Sequence, residues 1–195
     1  MASLEVRVML DVTPEELGGM LARGWRRARN RATRLRRTVG RPLVDEARLE
    51  LYRKWHRERE MHRGWEPSPL RAERYALDFA FPHPSAREAA YWDGDRLVGV
   101  GLFDETPDAL SAVYFFYDPE LRRDSLGVAN VVALIDDARA AGKPWMYLGY
   151  RVKGCESLEY KEAFLPHQLL KARPGDDQIA TWEGTSLPEA LQNTK

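Results

Sequence analysis

The sequence predicts an α+β fold built on a mixed sheet, in which an antiparallel meander leads into a crossover helix and a parallel strand. Two β-prone segments flank the dipeptide Asp93-Gly94, which is typical of a tight hairpin turn. Apolar residues then recur at helical spacing from Ser125 onward, between strand-like segments at residues 111–117 and 145–150. Two strands that flank one crossover helix run parallel, so these observations together predict the mixed sheet.

The N-terminal region is predicted to contain a strand and a helix. Residues 4–12 alternate apolar and polar side chains, as in a half-buried strand. Thr13, Pro14 and Glu16 then have the spacing of a capping box, which predicts a helix start. We take residues 1–44 as an N-terminal segment that precedes the main domain.

A block of arginines follows that helix. Between Arg23 and Arg41 there are nine arginines and no acidic residue, although the net charge of the whole chain is zero. Such a block can neutralise a phosphate backbone, and Trp25 at its edge could stack on a base. A solvated, partly helical linker explains the same composition equally well, so both interpretations stay open.

The middle of the chain is predicted to be two helices and a meander. A helix at residues 45–60 carries Ala47, Leu51 and Trp55 on one stripe, and a shorter helix occupies residues 70–79 after a break at 62–69. The meander then runs through three strands, which lie at residues 88–92, 96–103 and 110–117. The last of these strands ends at Asp118-Pro119, and the crossover helix that follows ends at Gly142 before Pro144.

The turn into the crossover helix has the composition of an anion site. Arg122, Arg123, Ser125, Leu126 and Gly127 lie where the first N–H groups of the helix lack intrahelical partners. These donors and the helix dipole favour a phosphate or a developing oxyanion. An ordinary capped helix with two solvated arginines is the alternative that the turn alone leaves open.

Composition excludes several other classes of protein. Of the 195 residues, 44% are hydrophobic and 31% charged, as in globular domains, and no apolar run approaches the roughly 18 residues of a membrane span. The only cysteine is Cys155, which rules out an intrachain disulfide, and the four histidines lack metal-ligand spacing. We therefore expect a cytoplasmic protein without a metal site.

Several longer strings resemble one known family. The strings LSAVYFFYDP, SLG, YLGY and YKEAF before Pro166 resemble the C-terminal domain of the arginyl- and leucyl-tRNA-protein transferases, and LYRKW with MHRGWE resembles the helix and loop before its sheet. The spacing Arg122-x-x-Ser125-x-Gly127 also resembles the pyrophosphate loop of the GNAT N-acetyltransferase superfamily, with serine in place of the first glycine. These resemblances imply a GNAT-like domain at residues 45–175, in which the two parallel strands splay apart beside the turn, and a C-terminal tail at 176–195.

The resemblance implies transfer of an amino acid, of the arginine or leucine type, from aminoacyl-tRNA to the N-terminal amine of a protein or peptide. The aminoacyl-tRNA is a co-substrate, and no further cofactor is expected. The implied catalytic residues are Tyr150, Tyr147 and Asp118. The implied donor and tRNA contacts are Arg122, Arg123, Ser125, Leu126, Gly127, Arg26 and Arg27. The implied acceptor contacts are Tyr114, Phe116, Tyr160 and Lys161.

Each of these residues also has an ordinary structural explanation. Asp118 precedes a proline and can cap a turn, a tyrosine in a strand usually packs, and Lys161 can be a solvated helix lysine. The family's N-terminal cysteine-rich motif resembles nothing in this chain, which predicts a shortened member. An acyl-CoA-dependent GNAT enzyme and a non-catalytic tRNA- or protein-binding relative therefore remain as alternatives.

Overall fold

The computed structural model describes residues 3–9, 34–152, 154, 155, 158 and 160–185. For residues 3–9 and for Thr185 only the backbone is described. The helix predicted from Thr13 and most of the arginine block, including Arg26 and Arg27, lie outside the described residues. The described chain forms two compact units, which we call the central unit (residues 34–106 and 112–133) and the terminal unit (residues 3–9, 107–111 and 134–185).

The central unit holds the predicted meander. Its strands lie in the order β2-β3-β4-β5, and both the β2–β3 and the β3–β4 pairs are antiparallel. A connection of three residues joins β4 to its neighbour β5, which makes that pair antiparallel as well. The bounds are β2 Arg36–Gly40, β3 Ala86–Asp93, β4 Arg96–Glu105 and β5 Ala109–Tyr117, of which only the part from residue 112 belongs to this unit.

Two helices pack on this sheet and close its core. Helix α1 spans Glu46–Arg63, begins where the Asp45 side chain accepts a hydrogen bond from Arg48 N, and ends at Gly64 in the left-handed conformation. Helix α2 spans Ala72–Phe79. The buried side chains of both helices meet those of the sheet in one cluster, which consists of Leu49, Leu51, Trp55, Tyr75, Ala90, Leu97, Val100, Leu102 and Phe116. Of the apolar stripe predicted for the first helix, Leu51 and Trp55 face this core, whereas Ala47 is exposed.

The crossover helix α3 spans Leu126–Ala140, as predicted. In the central unit its Asn130 is buried against Gly101 of β4, where any larger side chain would collide with the amide. The amide oxygen also accepts a hydrogen bond from Tyr91 Oη at 2.9 Å. At the other end Gly142 has a φ of 66°, and Lys143 N donates to Ala138 O at 2.9 Å, so the predicted glycine ends the helix.

The terminal unit contains the parallel strand. Strand β6 (Trp145–Val152) pairs in parallel with the first residues of β5, Ala109 with Trp145 and Ser111 with Tyr147. On its other side β6 pairs antiparallel with β1 (Ser3–Met9), and the order continues through β7 (His167–Leu170) to β8 (Trp182–Thr185). The predicted mixed sheet is confirmed. The splay expected further along β5 and β6 falls across the two units and stays a prediction.

No helix among the residues that the structure covers has both the length and the apolar composition to cross a lipid bilayer.

Candidate functional site

The turn between β5 and α3 has two buried leucines and an exposed basic segment. Residues Pro119–Asp124 form a 3-10 helix, Ser125 follows, and α3 begins at Leu126. Leu121 and Leu126 are buried, whereas Arg122, Arg123 and Ser125 are exposed. Within the described chain neither arginine forms an ion pair. The turn therefore exposes two uncompensated positive charges at the start of a helix.

Ser125 adopts a backbone conformation that favours glycine. Its φ is 52° and its ψ 39°, and it is the only residue other than glycine with a positive φ in the described ranges. A side chain in this region meets its own backbone, at a cost of about 1 kcal/mol. This is the position at which the resembled loop has its first glycine, and here a serine occupies it in a glycine-like conformation.

Gly127 lies in the first turn of α3, where packing does not require a glycine. A Cβ atom added there would meet only Phe115 Cδ1, at 3.9 Å, which is an ordinary contact, and its φ is not positive. The first hydrogen bond within the helix runs from Ala129 N to Ser125 O, so the amide groups of residues 126–128 precede the helical pattern. A glycine there adds no side chain beside these donors.

Asp118 is buried beneath this turn and binds two cations. Its Oδ1 lies 2.8 Å from Lys54 Nζ and accepts from Glu120 N at 3.1 Å, while Oδ2 lies 2.6 Å from Arg96 Nη1. Burial by itself would raise the pKa of Asp118, but the hydrogen bonds from Lys54 and from Glu120 N and the charges of Lys54 and Arg96 lower it below its usual value. The carboxylate is therefore ionised near neutral pH.

Lys54 also neutralises the second acidic residue of the turn. Its Nζ lies 2.7 Å from Glu120 Oε1. Burial would lower the pKa of Lys54, but its hydrogen bonds to Asp118 and Glu120 raise it, so the ammonium keeps its charge. Lys54 and Arg96 are not among the site residues that the sequence predicts. No short motif links them to Asp118, because they lie on α1 and β4, far from it in the chain.

The two aromatic residues expected to contact an acceptor differ in exposure. Phe116 is completely buried in the core, in edge contact with Tyr52, so packing accounts for it. Tyr114 is half-buried, stacks on Phe79 at a centroid distance of 5.2 Å, and accepts a hydrogen bond from Trp55 Nε1 at 3.4 Å. Burial raises the pKa of Tyr114, which keeps its hydroxyl protonated.

In the terminal unit, Tyr150 and Lys161 lie together. Tyr150 is 59% exposed near the end of β6, and its carbonyl oxygen accepts a hydrogen bond from Lys161 Nζ at 2.8 Å. Tyr147 packs against Trp182, with ring centroids 5.7 Å apart. Only Tyr150 of these two tyrosines is broadly accessible to a ligand.

Tyr160 precedes Lys161 in the 3-10 turn Tyr160–Ala163. Its ring meets Phe164 edge-on, and burial raises its pKa. Arg151 of β6 forms an ion pair with Glu162 of the same turn. These contacts hold the turn against β6. Among the described residues no group of three or more His, Cys, Asp or Glu side chains is arranged to hold a metal ion.

A family model described as "Arginine-tRNA-protein transferase, C terminus" matches residues 47–171. The chain is also 30% identical over 208 residues to the aspartate/glutamate leucyltransferase of Helicobacter hepaticus, an alignment that covers 89% of this chain and 86% of that protein. It is 32% identical to the enzyme of the same name from Campylobacter jejuni, with 77% of this chain and 63% of that protein covered. The chain thus spans less than two thirds of the second relative.

Two solved structures resemble the fold at low identity. The ribosomal-protein-S18-alanine N-acetyltransferase of Escherichia coli has a TM-score of 0.50 at 14% identity, over 78% of this chain and 96% of that one. A conserved protein of unknown function from Bacteroides thetaiotaomicron has a TM-score of 0.56 at 13% identity, over 85% and 56%. The first of these agrees with the predicted GNAT-like fold. By the family match and the relatives, the chain belongs to the family of arginine-tRNA-protein transferase C-terminal domains.

Proposed function

We propose that this protein transfers an amino acid from aminoacyl-tRNA to the free N-terminal amine of a protein, with leucine as the amino acid and acidic residues at the acceptor's N-terminus. Both curated relatives described above are named aspartate/glutamate leucyltransferases, which supports this choice of donor and acceptor. The family match over residues 47–171 supports assigning the chemistry to the predicted domain at 45–175. We place the reaction in the cytoplasm, where charged tRNA is made.

The observation that carries the proposal is the turn into α3. It combines exposed Arg122 and Arg123 with a helix start at which Gly127 has no packing reason to be glycine. Such a site suits the phosphates near the 3′ end of a tRNA or the oxyanion of an acyl transfer. An ordinary capped helix needs neither the glycine nor the two unpaired arginines.

The reaction needs little from the protein besides position and charge. The neutral amine attacks the ester carbonyl, a C–N bond forms, and the C–O bond to the terminal ribose breaks. The proton that the amine loses ends on the ribose hydroxyl that leaves. Because the ester is already activated, the protein mainly holds the two reactants and stabilises the tetrahedral oxyanion.

The contacts suggest how the predicted residues divide this work. Asp118 is fully engaged by Lys54, Arg96 and a backbone amide, so we assign it the role of holding the turn. Tyr150 is our proposed hydroxyl for the reacting groups because it is exposed. The other predicted roles stay as proposals. Tyr147 is a second catalytic residue, Arg26 and Arg27 contact the tRNA, and the acceptor residues are Tyr114, Phe116, Tyr160 and Lys161.

A transfer assay tests the proposal directly. Purified protein is incubated with a panel of radiolabelled aminoacyl-tRNAs and with peptides that begin with Asp, Glu or a neutral residue. We expect leucine to be transferred to the acidic peptides. The variant Arg122→Met should weaken tRNA binding and its dependence on salt, whereas Arg74→Met, which removes an exposed arginine paired with Asp78 on α2, should leave both unchanged.

Other outcomes would contradict the proposal. Tight binding of acetyl-CoA without any binding of tRNA would favour an acyl-CoA enzyme. Binding of tRNA without transfer from any charged tRNA would favour a binding protein.

A further inference from the structure

A groove of about 450 Å³ lies in the central unit between α1 and the loop that follows it. Helix α1 contributes Arg53, Arg57 and Glu60, which are spaced so that they share one face of the helix. The opposite wall is formed by residues 67–70, which include two prolines and a leucine. None of these residues belongs to the turn or to the acceptor residues described above.

The loop wall is held in place by hydrogen bonds. Glu60 Oε1 accepts from Ser68 N at 3.1 Å and also lies 2.8 Å from His56 Nδ1. Arg53 Nε donates to Leu70 O at 3.3 Å. Because Pro69 restricts the backbone between these two points and Pro67 restricts it just before them, the groove keeps its shape before any ligand arrives.

The groove has a net positive charge. Its acidic residue, Glu60, is already engaged by Ser68 and His56, and Arg53 is partly neutralised by Glu46, at 2.8 Å from its Nη1. Arg57 is exposed and forms no ion pair with any residue that the structure describes. A guanidinium offers planar, paired donors that fit a carboxylate in bidentate geometry.

Helix α1 also contacts the turn into α3, which we call the donor turn because the proposed function assigns it to the aminoacyl-tRNA. Lys54 follows Arg53 and binds Asp118 and Glu120. Arg57 lies three residues beyond Lys54, about 4.5 Å along the helix axis. Neighbouring residues of one rigid helix thus line the groove and contact the turn.

We propose that this groove binds the acidic side chain of the acceptor's first residue, with Arg57 as its main partner and Arg53 as the second. The inference rests on the proposed function. At about 450 Å³ the groove has room for the first residues of a peptide, with arginines on one wall and two prolines on the other. A tRNA backbone needs an extended basic surface, and the exposed Arg122 and Arg123 are better placed for it. The names of the relatives require recognition of aspartate or glutamate, and these arginines supply the complementary charge.

The test compares matched peptides that differ only in charge at the first residue, Asp against Asn and Glu against Gln. In the variant Arg57→Met we expect the preference for the acidic peptide, measured as the ratio of kcat/KM values, to fall at least tenfold, mainly through KM for the peptide. Arg57→Lys keeps the charge without the paired donors and should restore part of the preference. KM for aminoacyl-tRNA should not change, and Arg74→Met should behave as wild type.

Each other result has a defined meaning. An unchanged preference in Arg57→Met would overturn the inference, and so would a raised KM for tRNA with equal loss for every peptide, which would assign the groove to RNA. If the wild-type protein transfers nothing, the proposed function fails. Fluorescence anisotropy with the same peptides, fluorescently labelled, then tests separately whether the groove binds an acidic first residue. Wild type should then bind the Asp peptide at least tenfold more tightly than the Asn peptide, and Arg57→Met should not; equal binding by wild type would overturn the inference.

Discussion

The central unit contains two networks of ion pairs that differ in the exposure of their cations. In the first, Arg48 of α1 and Glu88 of β3 are both buried, and Arg48 Nε lies 2.9 Å from Glu88 Oε1. In the second, Asp118 is equally buried, but its partners Lys54 and Arg96 are 39% and 49% exposed. The cation of the first network is buried, although its second partner Asp45 is 44% exposed, whereas the cations of the second network reach the surface beside the turn into α3.

This difference indicates different roles. Burial would lower the pKa of Arg48, but its hydrogen bond with Glu88 and the charges of Glu88 and Asp45 raise it, so the guanidinium keeps its charge although it is buried. Removing one partner leaves a buried charge alone, which is costly. The cations of Asp118 can turn to solvent when their partner is lost, so that network should matter less for stability and more for the geometry of the turn.

The largest expected effect on stability follows from Glu88→Gln. Arg48 would keep its charge in a buried position with only the partly exposed Asp45 as a counterion, and we expect the free energy of unfolding to fall by about 3 kcal/mol or more. Urea unfolding followed by circular dichroism measures this loss. The control is Glu105→Gln, which breaks the partly exposed pair with Arg87 and should cost less than about 1 kcal/mol. Equal losses in the two variants would contradict the distinction between the buried pair and the partly exposed pair.

A smaller loss is expected from Asp118→Asn, about 1–3 kcal/mol near pH 7, because two charged hydrogen bonds are weakened while their cations remain solvated. The folded-state pKa of Asp118 is lowered, so its stabilising contribution is complete above the unfolded pKa of about 3.9 and is lost as the pH falls through the folded value. The difference in unfolding free energy between wild type and variant should therefore shrink below about pH 4. A constant difference down to pH 2 would mean that the carboxylate charge is not what stabilises the turn.

The substitution Gly127→Ala should separate stability from donor binding. The added methyl group meets only Phe115 at an ordinary distance, and alanine favours a helix, so the protein should gain up to about 1 kcal/mol. We expect tRNA affinity or transfer to fall nonetheless, because the methyl group covers the amide donors. As a control, Gly142→Ala at the other end of α3 forces a positive φ on alanine and should lower stability without affecting the donor. Unchanged affinity in Gly127→Ala would remove the main support for the donor site.

The smallest effect is expected from Ser125→Gly. Glycine adopts the left-handed conformation without a steric cost, so thermal unfolding should show a gain of about 0.5 kcal/mol. Donor binding should remain, since the backbone path of the turn is kept. If binding were lost, the serine hydroxyl itself would be a ligand.

The meander, the crossover helix and the parallel strand could be predicted from the sequence because each has a local signal. Asp93-Gly94 indicates a hairpin, Gly142 ends a helix, and the spacing of apolar residues identifies α3. The exposed basic turn was predicted for the same reason, since Arg122, Ser125 and Gly127 lie within six residues of one another.

What the sequence could not predict depends on distant parts of the chain. Strands β2, β7 and β8 are only four or five residues long. Segments this short show too little alternation of apolar and polar residues to be recognised as strands, and they form through pairing with their neighbours. Lys54 and Arg96 acquire their role only when α1 and β4 meet Asp118. Phe116 lies two residues after Tyr114 and therefore on the same face of β5. It is completely buried whereas Tyr114 is half-buried, because burial depends on what packs on that face further along the chain.

Helix α1 runs without interruption from Glu46 to Arg63. Its fixed rotation per residue therefore sets the direction of Arg57 in the groove relative to that of Lys54 at the turn into α3. Inserting or deleting one residue between Lys54 and Arg57 would rotate everything beyond it by about 100°, swinging the arginine out of its groove while the lysine stayed in place. This short stretch should thus tolerate substitutions far better than insertions or deletions.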